Sequence, residues 1–136
     1  MKTLTRLGFL LLFAFAVMSC EDEPELTASV SINETGSDLG GDVTGNGGSA
    51  TESYTWTNNL TTVDYNMDIT AAQEGSFQLQ ITDADGKVVL NQTLTSGVGD
   101  DSKSGVSQSG TAGEWTVEVI LKDFKGDGSF SISPGD

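Results

Sequence analysis

Ser76-Phe77-Gln78-Leu79-Gln80-Ile81 sets an apolar residue at every second position, with serine and glutamine between them. That period of two belongs to a β-strand with one face buried and one in water. Working outward, the same alternation recurs in Tyr65-Asn66-Met67-Asp68-Ile69 and in Trp115-Thr116-Val117-Glu118-Val119-Ile120-Leu121, where only Ile120 breaks it. Leu26, Ala28, Val30 and Ile32 repeat it near the start, as do Val88, Leu90 and Leu94 in the middle. No stretch of comparable length carries the i, i+3, i+4 spacing of a helix.

Turn-forming residues fall between these runs. Asp83-Ala84-Asp85-Gly86 joins one strand to the next, with Gly86 placed for the positive φ of a tight hairpin. Gly97-Val98-Gly99-Asp100-Asp101 and Gly110-Thr111-Ala112-Gly113 mark later breaks, and Lys125-Gly126-Asp127-Gly128 reads as a final turn. The pattern predicts strands over 26–33, 51–57, 61–69, 76–82, 87–94, 104–109, 114–122 and 129–133. About seven or eight short strands with regular turns predict an all-β fold, a single antiparallel β-sandwich of jelly-roll type. Residues 34–50 hold six glycines among Ser, Thr, Asp and Asn, with only Leu39 and Val43 large and apolar. This composition reads as a linker or a long surface loop, and a mobile loop is the expectation if strand 26–33 belongs to the sandwich.

The first residues have a different logic. Lys2 and Arg6 precede an apolar run from Leu7 to Val17, and Val17-Met18-Ser19-Cys20 contains the only cysteine of the chain. A basic start, a short apolar core and a small residue at the cut describe a secretory signal peptide over 1–19, far short of the ~20 apolar residues of a membrane span. The cysteine directly after the cut resembles the lipobox of bacterial lipoproteins, with Met18 where a small residue is usual. The resemblance implies a lipid on Cys20. Glu21, Asp22 and Glu23 resemble the acidic export signal of surface lipoproteins in Bacteroidetes, which implies the outer face of the outer membrane; a periplasm-facing position is the alternative. The domain organisation expected is therefore a signal peptide (1–19), an acidic lipidated tether (20–25) and a β-sandwich (26–136).

The chain carries six Lys and Arg against 20 Asp and Glu, a net charge of −14, and it has no histidine. Without residues 1–19 four lysines remain, which brings the charge to about −16. Such a surface repels phosphate backbones, so nucleic acid is excluded as a partner. The lack of histidine removes His-based nucleophile pairs and the common zinc and copper ligand sets. An enzyme would have only carboxylates, hydroxyls and lysine to work with, so a non-catalytic module is expected and no cofactor is required.

Two ligand chemistries stay open. Asp83 and Asp85, with Asp100, Asp101, Asp123 and Asp127 in other turns, offer oxygen ligands for Ca2+, although Asp83-Ala84-Asp85-Gly86 is too short for a calcium loop and Asp-Gly is a common hairpin dipeptide. Trp56, Trp115, Tyr54, Tyr65 and Phe124 are the aromatics available to stack on a sugar. The two tryptophans share the phase of core positions, and Phe124, beside the expected turn at Lys125-Gly126, is the aromatic expected to be exposed. From Tyr54 to Ile132 the order of motifs resembles pre-peptidase C-terminal-type domains: an aromatic opening strand, Phe-x-Leu-x-Ile, Asp-x-Asp-Gly, Gly-x-Trp-x-Val-x-Val, and a closing Gly-Ser-Phe-x-Ile. That resemblance implies an accessory, non-catalytic jelly roll. The expected role is a lipid-anchored envelope module that binds a protein partner, a glycan or calcium, with a carboxylate hydrolase ranked last.

Overall fold

A computed structural model describes residues 22–135. Cys20, Glu21 and the expected signal peptide lie outside the described residues, while Asp22 and Glu23 are exposed and outside any strand. The chain is all-β, with six strands in the order β1 (Ala28–Glu34), β2 (Leu39–Asn58), β3 (Thr62–Thr82), β4 (Val88–Thr95), β5 (Ser102–Val106) and β6 (Gly113–Gly135). Every pairing is antiparallel; the order across the sheet is β1-β2-β6-β3-β4, and β5 pairs with β3.

Three strands are far longer than a typical strand of five or six residues, and each is irregular at the same level. β2 shifts register around Gly48, and β3 shifts between Thr70 and Ser76 opposite Asp127 to Lys122 of β6. Ala71 (φ 51°) and Asp123 (φ 47°) adopt left-handed backbone in these breaks, a strain of about 1–2 kcal/mol each that a sharp change of strand direction requires. The Asp123 amide is held there by donating to Ser49 Oγ at 2.9 Å.

The breaks fold the sheet onto itself. Phe77 pairs with Leu121 on β6, and Phe130 lies nine residues further along that strand; an unbent strand would hold the two positions about 30 Å apart. Their rings instead meet at 6.3 Å. One layer holds β1, β5 and the arms 39–48, 62–70 and 124–135; the other holds β4 and the arms 50–58, 76–82 and 113–121. Between them Phe77, Leu79, Ile81, Val117, Val119, Leu121, Val63, Met67, Phe124 and Ile132 are all buried, a sandwich core.

Four expectations change. The strands expected at 61–69 and 76–82 are two arms of β3, and those at 114–122 and 129–133 are two arms of β6. The expected turn at 125–128 is thus internal to β6. Phe124 is consequently fully buried, because the break at Asp123 rotates it inward. Within the glycine-rich stretch 34–50 only residues 35–38 are a loop; from Leu39 it is a strand paired to β6, with β1 on its other side over Gly40 to Gly45. Its glycines serve close packing: a Cβ on Gly41 would run into the Ser31 carbonyl, on Gly45 into that of Phe124, and on Gly48 into the Thr27 backbone.

Candidate functional site

β2 alone among the long strands loses a neighbour partway. β1 covers Gly40–Gly45 of its outer side, but the arm 50–58 pairs only with β6. The sandwich is therefore open on this side, between the free edge of that arm and the β1–β2 loop. A cleft of about 610 Å3 lies there, within the range of small-molecule sites.

Strand alternation sets its lining. Trp56, Tyr54 and Glu52 point to the inner face, opposite the buried Trp115, Val117 and Val119. Trp56 forms the closed end: it is buried, and its Nε1 donates to the Ser37 carbonyl at 3.0 Å, which ties the β1–β2 loop down on the edge strand. Leu39 and Ile32 complete the apolar floor. Tyr54 comes next, half-buried, and its phenol is held above its ordinary pKa first by burial and then by the Glu52 carboxylate. It remains a neutral hydrogen-bonding group at physiological pH. Thr35 lines it as well, and the free edge from Ser53 to Thr57 adds main-chain groups, while the hydroxyls of Ser53, Thr55 and Thr57 alternate to the outer face. The lining contains no carboxylate, lysine or arginine.

The expected site residues go elsewhere. Asp83 is buried and clamps its own hairpin: Oδ1 accepts from the amides of Asp85 at 3.0 Å and Lys87 at 2.8 Å, and Oδ2 accepts from the Thr111 amide at 2.8 Å. These bonds, led by the one from Thr111, hold the carboxyl below the usual aspartate range. Asp85 accepts from Thr111 Oγ1 at 2.7 Å, and Asp127 from Thr44 Oγ1 at 2.8 Å. Among the described residues no three His, Cys, Asp or Glu converge on a common point. Trp115 is core, as its phase indicates; Tyr65 lines a smaller cleft of about 270 Å3 with Glu34, Asp38 and Asp64. The residues missed by sequence are Thr35, Gly36 and Glu52. Glu52 carried a signal: an acid in phase with Tyr54 and Trp56 marks a strand whose inner face reaches solvent.

No family model matches the chain, and no curated protein matches it. Among the solved structures that resemble it distantly are two carbohydrate-binding modules. One is a carbohydrate-binding module from the β-sandwich superfamily, at a TM-score of 0.43 and 14% identity over 79% of this chain; this chain spans about half, 52%, of that one. The other is the family 11 carbohydrate-binding module from Clostridium thermocellum in complex with a β-1,3-1,4-mixed-linked tetrasaccharide, at a TM-score of 0.42 and 11% identity, covering 81% of this chain and 84% of that one.

Proposed function

We propose that this chain is a lipid-anchored protein of the cell envelope, outward-facing at the outer membrane, and that its sandwich is a non-catalytic glycan-binding module. The observation that carries the binding reading is the cleft at Tyr54. It offers a half-buried aromatic ring beside the unpaired main-chain groups of a free edge, the combination that holds a sugar by one face and its edges. No nucleophile–base pair and no carboxylate lines it, so it is suited to holding a ligand and not to cleaving it.

The path of the chain supports an outward cleft. Glu25 to Thr27 is fastened at the folded corner: Asn46 Oδ1 accepts from the Thr27 amide, Asn46 Nδ2 donates to the Glu25 carbonyl, and the amides of Asn46 and Gly48 donate to the Thr27 carbonyl. From there β1 runs seven residues, about 23 Å, to the loop that roofs the cleft. A lipid on Cys20 would thus hold the corner end toward the membrane and leave the cleft at the other end.

A second reading, an envelope protein that adds a strand to the free edge, is favoured by the arm 50–58, which has neither lysine nor proline to guard it. Affinity electrophoresis through gels containing neutral β-glucans tests the first reading. Retardation that Tyr54→Ala abolishes is expected, with the variant still melting in one cooperative transition at a lowered midpoint, because the ring packs on the core. Equal mobility of wild type with and without every glycan would overturn it.

A further inference from the structure

Glu52 is the one charged residue on the inner face of the free edge. Its cross-strand partner Val119 is fully buried, yet Glu52 itself is exposed, because the loop that roofs Trp56 ends before it. Alternate residues on a strand stand about 7 Å apart on one face, so the carboxylate sits just beyond the Tyr54 ring at the open end of the cleft. It lies close enough for its charge to act on the Tyr54 phenol. None of the four lysines among the described residues lines the cleft. Lys87 and Lys103 donate to the carbonyls of Ser109 and Thr93, and Lys122 and Lys125 flank the break in β6 at the corner end. Glu34, the last residue of β1, and Asp38, in the loop that follows it, line the smaller neighbouring cleft and add to the same negative potential.

We propose that Glu52 makes this cleft select glycans that carry a protonated amine on the unit beside the one stacked on Tyr54, and turns away glycans of uronic acids. This rests on the glycan reading above and adds the charge class of the ligand. An amine there gains a charge-assisted hydrogen bond to the carboxylate; a sugar carboxylate meets like charge in a cleft with no cation to relieve it. Inward-pointing charge also serves to protect free edges, and that role alone would make no difference between sugars.

The test measures the affinity of the whole domain for three tetrasaccharides, of glucosamine, of N-acetylglucosamine and of a uronic acid. It is run at about pH 6, where a sugar amine carries its proton. The amine form is expected to bind about fivefold tighter than the acetylated form, and the uronic acid form not at all. Glu52→Gln should erase that preference, so that the amine and acetylated forms bind alike. Asp100→Asn, which removes an equal charge from an exposed loop, should keep it. Equal binding of the amine and acetylated forms overturns the inference, and so does a preference that survives Glu52→Gln or that Asp100→Asn also removes. Each of those results leaves glycan binding standing. Failure of all three sugars to bind overturns the glycan reading itself.

Discussion

The indoles of Trp56 and Trp115 meet edge to face, with ring centroids 6.2 Å apart and planes at 84°. They are cross-strand partners, so the edge strand that forms the cleft is locked to the central strand β6 by the largest side chains available. Each indole N–H is also used, Trp56 on the Ser37 carbonyl and Trp115 on the Thr111 carbonyl at 2.7 Å. Two loops and two strands therefore converge on one aromatic pair, which fixes the closed end of the cleft.

Trp115→Ala is expected to cost about 3–5 kcal/mol, since the ring is fully buried and its loss leaves a cavity against Trp56. Glu118→Ala, on the outer face of the same strand, is expected to cost less than ~0.5 kcal/mol. Urea melts of both variants check this, and equal losses would contradict the strand phase described.

Gly45→Ala tests the least expected part of the fold. A methyl group there meets the Phe124 carbonyl, part of the backbone of β6, and nothing flexible can yield. We expect a loss of about 1–3 kcal/mol in chemical denaturation. A mobile loop would tolerate the change within ~0.5 kcal/mol.

This segment also shows what the sequence concealed. Phe77, Leu79 and Ile81 announce their strand because side chains report which face is buried. Gly41, Gly45 and Gly48 have no side chain to alternate, and the reason for each glycine is a backbone from a distant part of the chain. Composition alone then resembles a linker. The corner at Asp123 misled in a similar way: Lys125-Gly126-Asp127-Gly128 has turn chemistry, but a strand that bends and stays paired needs the same residues as one that reverses. The cleft was half legible. Tyr54 and Trp56 stood out as aromatics, whereas the free edge beside them depends on where β1 stops pairing, which no local pattern records.

Asp83 gives a pH dependence with a definite sign. Its carboxyl is held below the ordinary range by amides that favour the charged form, so it contributes stability that is present above the unfolded-state value of about 3.9 and is lost as pH falls through its lower folded value. Asp83→Asn replaces one acceptor oxygen with a donor facing an amide, so it should lower the thermal midpoint at neutral pH. Melts across the acid range should show wild type and variant converging below about pH 4. Calcium and magnesium at matched ionic strength should raise the midpoint equally, because screening relieves a charge of −14 without a specific site. A calcium-selective rise that Asp83→Asn removes would return this hairpin to the list of metal sites.

The anchor has its own test. Cys20 is the only thiol in the chain, so Cys20→Ala should abolish incorporation of radiolabelled fatty acid and release the protein from the membrane fraction. Label retained by the variant, or absent from wild type, would contradict the lipoprotein reading. Accessibility of the intact protein to an external protease distinguishes an outward from a periplasm-facing domain.

The central claim is that the cleft at Tyr54 holds a sugar. Amide chemical-shift mapping during titration with neutral and amine-bearing tetrasaccharides tests it most directly. The account predicts saturable shifts clustered on Thr35, Gly36 and the edge strand from Ser53 to Thr57, with Tyr54→Ala removing them. Shifts confined to the outer face of the other layer, around Asp42, Asp68 and Ser129, or no shifts with any sugar, would contradict it.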